Sequence, residues 1–406
     1  MCDEHYWRAD MNNIGKRILR AGAARAIMTP PVGIRMVGYT VQEDCSKSLQ
    51  DELTATALVL SDGEATLAIV ACDILHIQNP HCDRIRERIA RRTKIPAAHV
   101  LINFSHTHLG PMLPGWQPEG DEQAAIQRGY LEFLTETLAG VVAVALGHLQ
   151  PARLGSARGE APLGVNRREK LPDGRVIIGE NTDGAIDRTV DVIRVDDLSG
   201  KPIATLASAA VHTIVLGPKT TALSPDLVGP ARRIVESATG APFLFLQGAA
   251  GNISPRSGIG SGGPEQYDDL ARLGAMLGGE VLKNWALIRT HNRRGPRRVV
   301  QSVAAISTWD YESVESESIE HFGVACKRLV LEMAPLPARE AIDQRLEHWW
   351  REREKVFADV TAGRGQRHVA DRMLQWAQLV ADADARGENP PKKEIEIWAA
   401  RINQLG

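Results

Sequence analysis

Residues 65–104 read ATLAIVACDILHIQNPHCDRIRERIARRTKIPAAHVLINF, and this stretch decides the fold. Ala65–Cys72 and Val100–Asn103 are nearly continuous apolar runs, which are typical of strands buried on both faces. Between them, residues 81–94 have the charge spacing of a helix. A strand, a helix and a strand over about 40 residues indicate a right-handed parallel crossover. The stretch therefore predicts layers of helix packed on a partly parallel sheet.

The same alternation recurs on both sides of this stretch. Thr54–Ser61 alternates and leads through the turn Asp62-Gly63 into the first apolar run, which predicts a hairpin. A second hairpin is predicted over 190–211. Further helices are predicted at 124–149, 225–238 and 266–287, and a strand at 242–246. We expect an α/β fold, a mixed sheet flanked by helices, over residues 21–310.

The two ends of the chain differ in composition from this core. Residues 1–20 are polar and are expected to form an N-terminal tail. Residues 311–390 are highly charged and predict a C-terminal helical segment, a hairpin or cap whose tryptophans give it an apolar face. That face could also carry a homo-oligomer contact. Residues 391–406 are expected to form a terminal strand that returns to the core.

Composition narrows the class of protein. The 406 residues are 43% hydrophobic and 24% charged, which is ordinary for a soluble globular chain. With 48 basic and 50 acidic residues the net charge is −2, so no broad basic field indicates nucleic acid as a partner. Five scattered cysteines without a CxxC pair favour a reducing compartment. No signal peptide and no run of 18 apolar residues are seen, so we expect a cytoplasmic protein without a transmembrane segment.

Three polar clusters directly follow predicted strands. They are FSHTHLGP at 104–111, VHTIVLGP at 211–218 and LQGAAGNISP at 246–255. In α/β sheets, ligands bind in the loops beyond the carboxyl ends of strands. If the three strands are parallel, the clusters meet at one edge of the sheet.

The histidines of these clusters could hold a metal. His106 and His108 are two residues apart and point the same way in an extended chain. His212 supplies a third imidazole from a distant part of the sequence, and a catalytic zinc typically has three protein ligands and an open position. A loop pair bonded to the backbone remains the alternative.

Two further stretches could contact a substrate. In the third cluster, Gly251 and Asn252 could bring backbone amides near an anion, and Ser254 could be a nucleophile or a positioning group. In GVNRREKLPDGRV at 164–176, Asn166 and Arg167 could clamp a carbonyl or carboxylate. A plain glycine-rich loop and a solvated surface turn are the competing interpretations.

The four motifs SHTHLGP, VNRR, VHTIVLGP and AGNISP occur in an order and spacing that resemble the neutral/alkaline, non-lysosomal ceramidase family. The similarity covers about residues 21–310 and is closest to short bacterial members. It implies a zinc-dependent hydrolase of linear C–N amide bonds. It also implies that His106 and His212 bind Zn²⁺, that His108 lies beside the scissile group, that Ser254 acts at the amide carbonyl and that Arg167 lines the site.

The sequence departs from the family pattern at three places. Leu109 stands where serine is usual, and Arg256 stands where asparagine is usual. No Pro-Gly-Glu motif, which supplies a further zinc ligand in the family, occurs before Gly406; Asp73 and His76 are local substitutes. The expected substrate is a lipid-like amide or a smaller, soluble amide or ester, and ceramide itself is not favoured. The alternatives are a non-catalytic relative that binds a ligand or partner, and a metal-free serine esterase built on Ser254.

Overall fold

The structure is a computed structural model that describes residues 17–39, 45–115, 121–260, 263–291, 294–314, 318–331, 335–387 and 393–404. Its α-helices are α1 Asn79–Thr93, α2 Asp121–Gly147, α3 Val228–Thr239, α4 Glu265–Leu287, α5 Arg339–Ala358 and α6 Arg364–Ala385. Its strands are β1 Arg17–Ile18, β2 Arg20–Ile27, β3 Met36–Val37, β4 Ser48–Leu49, β5 Thr54–Ser61, β6 Thr66–Cys72, β7 Val100–Phe104, β8 Gly110–Pro111, β9 Gln150–Glu160, β10 Gly164–Lys170, β11 Val176–Asn181, β12 Thr189–Asp197, β13 Pro202–Ala209, β14 Ala222–Leu223, β15 Phe243–Gln247, β16 Ile253–Pro255, β17 Arg294–Val303, β18 Ile306–Ser313, β19 Ser318–Leu331 and β20 Lys393–Gln404.

The main sheet has eight strands in the order β15-β13-β12-β9-β2-β5-β6-β7. It is mixed, because β6 pairs with β7 and β13 pairs with β15 in parallel, while the inner pairs are antiparallel. The predicted crossover is present, with α1 between β6 and β7. The α/β fold class predicted from the sequence is confirmed.

The eight-stranded sheet is folded so that its two edge strands meet. Asn103 at the end of β7 and Gln247 at the end of β15 exchange hydrogen bonds, from Gln247 N to Asn103 Oδ1 at 2.8 Å and from Asn103 Nδ2 to Gln247 O at 3.3 Å. This divides the sheet into two half-sheets, a first one of β2, β5, β6 and β7 and a second one of β9, β12, β13 and β15. One apolar cluster fills the space between them and includes Leu58 of β5 and Leu206 of β13. The carboxyl ends of the parallel strands of both halves are thereby brought together.

Two further apolar clusters cover the outer faces of the half-sheets. One joins β5, β6 and β7 to α1 and α2, and the other joins β12, β13 and β15 to α3 and α4. The layers are therefore helix, sheet, sheet and helix. Every residue of β5 is buried, because this strand is covered on both faces.

Helix α2 is part of this core. By length and composition Glu122–Gly147 could cross a membrane, and half of its most apolar stretch of 18 residues is buried inside the protein. Leu134 and Leu138 are fully buried against the first half-sheet. Its apolar character thus matches its role in covering the sheet.

The ends of the chain differ from the prediction. The expected tail includes β1, which pairs with β19, while residues 1–16 lie outside the described part. The predicted helices do not begin at 311: β18 and β19 occupy much of 306–331, and α5 begins only at Arg339. Residues 318–331 form a strand because β20, some 70 residues later, pairs with them. The terminal strand therefore joins β19 rather than the core sheet.

The helical hairpin itself is present, as α5 and α6. It is held by ion pairs from Arg353 to Asp371 at 2.6 Å and from Arg339 to Asp384 at 3.0 Å. Trp350 and Trp376 remain exposed on it. A homo-oligomer contact through these helices stays a prediction.

Candidate metal and amide-binding site

His106 lies in the turn that leaves β7, in a strained backbone conformation. Its φ is +64°, in the left-handed region that a side chain with a Cβ rarely adopts. The backbone amide of His106 donates to Ile74 O at 3.0 Å, and that of Ser105 donates to Cys72 O at 2.9 Å. Such strain persists only where surrounding contacts impose it, and it is frequent at functional sites.

His212 follows β13 and is fixed by the glycine-rich loop. Its amide donates to Ile253 O at 3.1 Å. Thr213 donates from its hydroxyl to Ser105 O at 2.8 Å, which joins the loop after His212 to the loop before His106. The amide of His108 donates to Thr213 O at 3.4 Å and adds a second link. The two histidine loops are therefore one hydrogen-bonded unit.

The three predicted histidines form one cluster. The ring centroids lie 4.9 Å apart for His106 and His212, 5.2 Å for His106 and His108, and 5.7 Å for His108 and His212. One nitrogen of each ring lies within 4.8 Å of the others. It is the one group of three or more histidine, cysteine or acidic side chains with this spacing among the described residues. The distances suit a single bound cation.

Two of the three rings have a fixed tautomer. His106 Nδ1 lies 3.1 Å from Leu75 O, and His212 Nδ1 lies 2.7 Å from Ala250 O. A carbonyl oxygen only accepts, so each Nδ1 carries the hydrogen and each Nε2 keeps a lone pair. Metal-binding histidines are commonly oriented in this way. His106 and His212 therefore fit a zinc ion.

His108 is held differently. Both of its ring nitrogens are buried and neither makes a well-formed hydrogen bond, although the backbone of Gly38 is near enough to raise the pKa slightly. Burial nevertheless lowers the pKa of His108 to about 3, with the neighbouring His106 and His212 adding to the effect. At neutral pH this ring is uncharged and can exchange a hydrogen bond with a group that enters the site.

Burial also keeps the other two imidazoles neutral. It lowers the pKa of His212 to about 4, and Arg167 contributes in the same direction. It lowers the pKa of His106 as well, against a small opposing effect of the bond to Leu75. Neutral imidazole is the form that binds a metal, so the environment prepares these side chains for that role.

Arg167 lies within electrostatic range of the histidine cluster, and its role in lining the site stays a prediction. Its Nε donates to Gly251 O at 3.1 Å, and its backbone amide donates to Asn252 O at 2.8 Å. Its positive charge depresses the pKa of all three histidines, which shows that it is within electrostatic range of each. β10 therefore presents one cation towards the site.

Ser254 lies in β16, opposite Val165 of β10. Its hydroxyl is buried and has no hydrogen-bond partner among the described residues. An unsatisfied buried hydroxyl is costly unless something binds it. Ser254 is therefore available to bond a ligand atom.

The two candidate asparagines serve the loop around them. Asn166 Nδ2 and Asn252 Nδ2 both donate to Ala185 O, at 2.9 and 3.0 Å. Asn166 Oδ1 also accepts the amide of Arg168 at 2.9 Å. Their amide groups thus hold residue 185 against β10 and the glycine-rich loop, and any contact of theirs with a substrate stays a prediction.

Part of the glycine-rich loop is already bonded. The amides of Gly248 and Ala250 donate to Ala209 O and Gly248 O, both at 2.9 Å. These two amides cannot also bond a developing oxyanion, so within this loop the prediction rests on the amides of Gly251 and Asn252. Gly251, by contrast, has open space where a Cβ would stand, and its carbonyl oxygen accepts a hydrogen bond from Arg167 Nε.

The proposed local substitutes for the missing ligand do not complete the cluster. Both oxygens of the buried Asp73 accept from Arg232, at 2.7 and 2.8 Å, and one also accepts from Thr54. His76 is half-buried, and its pKa is lowered by burial and by the nearby His106, but it lies outside the group of three. Leu109 is fully buried in the core, and Arg256 donates outward to Pro162 O at 3.2 Å.

One contact of the cluster escaped the sequence prediction. Tyr39 lies edge-on to His108, with ring centroids 5.0 Å apart. It comes from a turn-rich segment far from any strand end that carries a polar cluster, so no local pattern marked it.

Comparison with known proteins agrees with the motifs. No protein-family profile matches the chain. Two curated relatives from Dictyostelium discoideum are neutral ceramidase A, 24% identical over 249 residues, and neutral ceramidase B, 22% identical over 240 residues. These alignments cover 57% and 55% of this chain but only 35% and 33% of the relatives. The chain thus spans about a third of the length of the curated relatives it matches.

Solved structures show the same fold. The neutral ceramidase from Pseudomonas aeruginosa superposes with a TM-score of 0.58 at 19% identity, covering 81% of this chain and 50% of that one. A ceramidase complexed with C2 gives 0.58 and 19% over 80% of this chain and 48% of that one. The resemblance that the four motifs carried is confirmed: in sequence and in fold this chain is neutral ceramidase-like.

Proposed function

We propose that this chain is a zinc-dependent hydrolase that cleaves the C–N bond of a linear amide, with a lipid-like or smaller acyl amide as substrate. The observation that carries the proposal is the cluster of three neutral imidazoles, two of which present Nε2 because a backbone carbonyl holds Nδ1. The likeness to neutral ceramidases supports the amide as the bond attacked.

In this proposal His106 and His212 hold the ion through Nε2. A bound Zn²⁺ supplies a Lewis acid for the carbonyl and lowers the pKa of a bound water from 15.7 to about 7. The protein also supplies the geometry, because hydrogen bonds between the two histidine loops hold both ligands in place.

The remaining side chains act on the substrate. The free hydroxyl of Ser254 bonds the amide carbonyl, and the uncharged His108 exchanges a hydrogen bond with the scissile group. Arg167 places a positive charge where negative charge develops, and each such preorganised donor is typically worth about 3–4 kcal/mol in the transition state. The amine product requires a proton, and the uncharged His108 would first take this proton from the attacking water and then pass it to the leaving amine.

Metal analysis combined with a chromogenic N-acyl amide substrate tests the proposal. We expect about one zinc per chain, lost in His106→Ala and in His212→Ala. His108→Ala should keep the zinc and lose the hydrolysis. His148→Ala is the matched control, because His148 Nδ1 also lies 3.1 Å from a backbone carbonyl, that of Ala23, but outside the cluster.

Two outcomes would overturn the proposal. Metal-free protein that cleaves the amide at the same rate would revive a serine hydrolase based on Ser254. Zinc-loaded protein that binds but never cleaves a panel of short- and long-chain amides would favour a non-catalytic relative. A cytoplasmic location stays a prediction, to be checked by fractionation of the source cells.

A further inference from the structure

The segment Met36–Tyr39, which we name the strap, runs alongside the loop that carries His108. Met36 pairs with Pro111 and Val37 with Gly110 in the short antiparallel ladder of β3 and β8. The amide of Met112 adds a hydrogen bond to Arg35 O at 2.7 Å. The strap is therefore fixed relative to His108 by backbone bonds alone.

Gly38 lets the strap touch the side chain of His108. Its φ is +129°, in the region that favours glycine. A Cβ at this position would lie 2.6 Å from both Cβ and Cγ of His108, closer than atoms can pack. The backbone of the strap thus forms one wall of the pocket that holds the imidazole.

Tyr39 forms the adjoining wall and connects it to the second histidine loop. Its ring meets the His108 ring at an interplanar angle of 60°. Its hydroxyl donates to Leu216 O at 2.7 Å, four residues after His212. Burial raises the pKa of Tyr39, so the hydroxyl keeps its proton and remains a donor. Leu216 is itself held, since its amide donates to Asp226 at 2.9 Å.

The orientation of the His108 ring depends on packing more than the orientations of the His106 and His212 rings do. The rings of His106 and His212 are oriented by hydrogen bonds from Nδ1, whereas neither nitrogen of His108 makes a well-formed one. Packing, together with the weak backbone interaction with Gly38, then sets its ring plane. Among the described residues this ring has three aromatic neighbours, and two of them are the anchored His106 and His212, so Tyr39 is the third.

We propose that Gly38 and Tyr39 are positioning residues that set the ring plane of His108, and that the Tyr39 hydroxyl keeps this ring in register with the loop after His212. The catalytic consequence rests on the proposed function; the orientation of the ring does not. A misplacement of about 1 Å in a catalytic group can cost about a hundredfold in rate.

The test compares Tyr39→Leu, Tyr39→Phe and Gly38→Ala with Tyr130→Phe. Tyr130 is a matched control, because it is buried and donates to Met28 O at 2.6 Å, but it lies in the core under α2. We expect Tyr39→Leu and Gly38→Ala to lower kcat by about tenfold to a hundredfold, with unchanged KM and zinc content. Tyr39→Phe, which keeps the ring, should lose less. Tyr130→Phe should leave kcat unchanged.

A second readout does not depend on activity. The ring protons of His108, assigned in the metal-free protein by comparison with His108→Gln, should shift in Gly38→Ala, which keeps the ring current of Tyr39, because the imidazole itself moves; they should shift further in Tyr39→Leu, which also removes that ring current. They should stay in place in Tyr130→Phe. An unmoved His108 resonance together with a wild-type kcat in Tyr39→Leu would overturn the inference. If wild-type protein cleaves no amide, the proposed function fails, and the resonance alone decides on the positioning role.

Discussion

Arg232 and Asp73 form a buried ion pair that connects the two half-sheets, and its removal should destabilise the protein strongly. Arg232 lies on α3 and is 7% exposed, and Asp73 follows β6 and is 3% exposed. Arg232 Nη2 lies 2.8 Å from Oδ1 and 2.7 Å from Oδ2 of Asp73. The perturbation is Arg232→Met, which keeps much of the side-chain volume and removes the charge.

The magnitude follows from what is left behind. Asp73 Oδ2 would keep its bonds from Thr54 N and Oγ1, at 2.9 and 3.0 Å, while Oδ1 would lose its partner in a dry environment. Breaking a buried pair by removing one partner typically costs about 3–5 kcal/mol, and Arg25, which also lies within electrostatic range of Asp73, should keep the cost towards the lower end. At about 2–4 °C per kcal/mol, the melting temperature should fall by roughly 6–20 °C.

Arg233→Met is the matched control on the same helix. Arg233 is 59% exposed and pairs with Asp51 at the surface. An exposed pair contributes about 0–1 kcal/mol, so this variant should unfold within about 4 °C of the wild type. The double variant Asp73→Asn/Arg232→Met should recover part of the loss, because no charge is then left buried.

The same ion pair should influence the metal site. Asp73 directly precedes Ile74 and Leu75, whose carbonyls hold the amide and the ring of the strained His106. Thermal unfolding by circular dichroism measures the stability, and zinc titration measures the site. If Arg232→Met unfolds within 4 °C of the wild type, as Arg233→Met should, the reasoning that this pair ties the half-sheets together is wrong.

Two further predictions concern stability. The pKa of His212 is about 4 in the folded protein, below the ordinary histidine value of 6.5, so the unfolded chain binds this proton first. Stability present at neutral pH is therefore lost as the pH falls from about 6.5 towards 4, by about 3 kcal/mol at 1.36 kcal/mol per pKa unit. Urea titrations of the metal-free protein should show a smaller loss in His212→Gln; an equal loss would contradict the assignment. Gly22→Ala should cost about 1–3 kcal/mol, because a Cβ there would collide with Ala145 O and lie 2.7 Å from His148 C. Gly129→Ala, where a Cβ meets open space on α2, should instead gain about 0.5–1 kcal/mol, and equal effects of the two variants would refute the packing argument.

Local patterns were sufficient for the crossover and for the site motifs. Apolar runs predicted β6, β7 and β13 because a strand covered on both faces has no polar side to show. The placement of polar clusters after strands predicted that His106 and His212 would meet, and the structure brings them together. The predicted C-terminal helices are present as α5 and α6, but their predicted start at 311 was wrong, because β19 is specified by β20, a partner too distant for a local pattern to reveal.

By itself, the sequence determined which residues could carry the chemistry: three histidines, one arginine and one serine in four motifs. The tertiary structure decided how they differ. His106 and His212 are anchored by the carbonyls of Leu75 and Ala250, and His108 is set by packing against Gly38 and Tyr39. These partners come from segments up to about 70 residues away. They meet because the eight-stranded sheet is folded so that its edge strands β7 and β15 are joined by hydrogen bonds between Asn103 and Gln247. Orientation of a ring depends on such long-range contacts, and no local spacing encodes them.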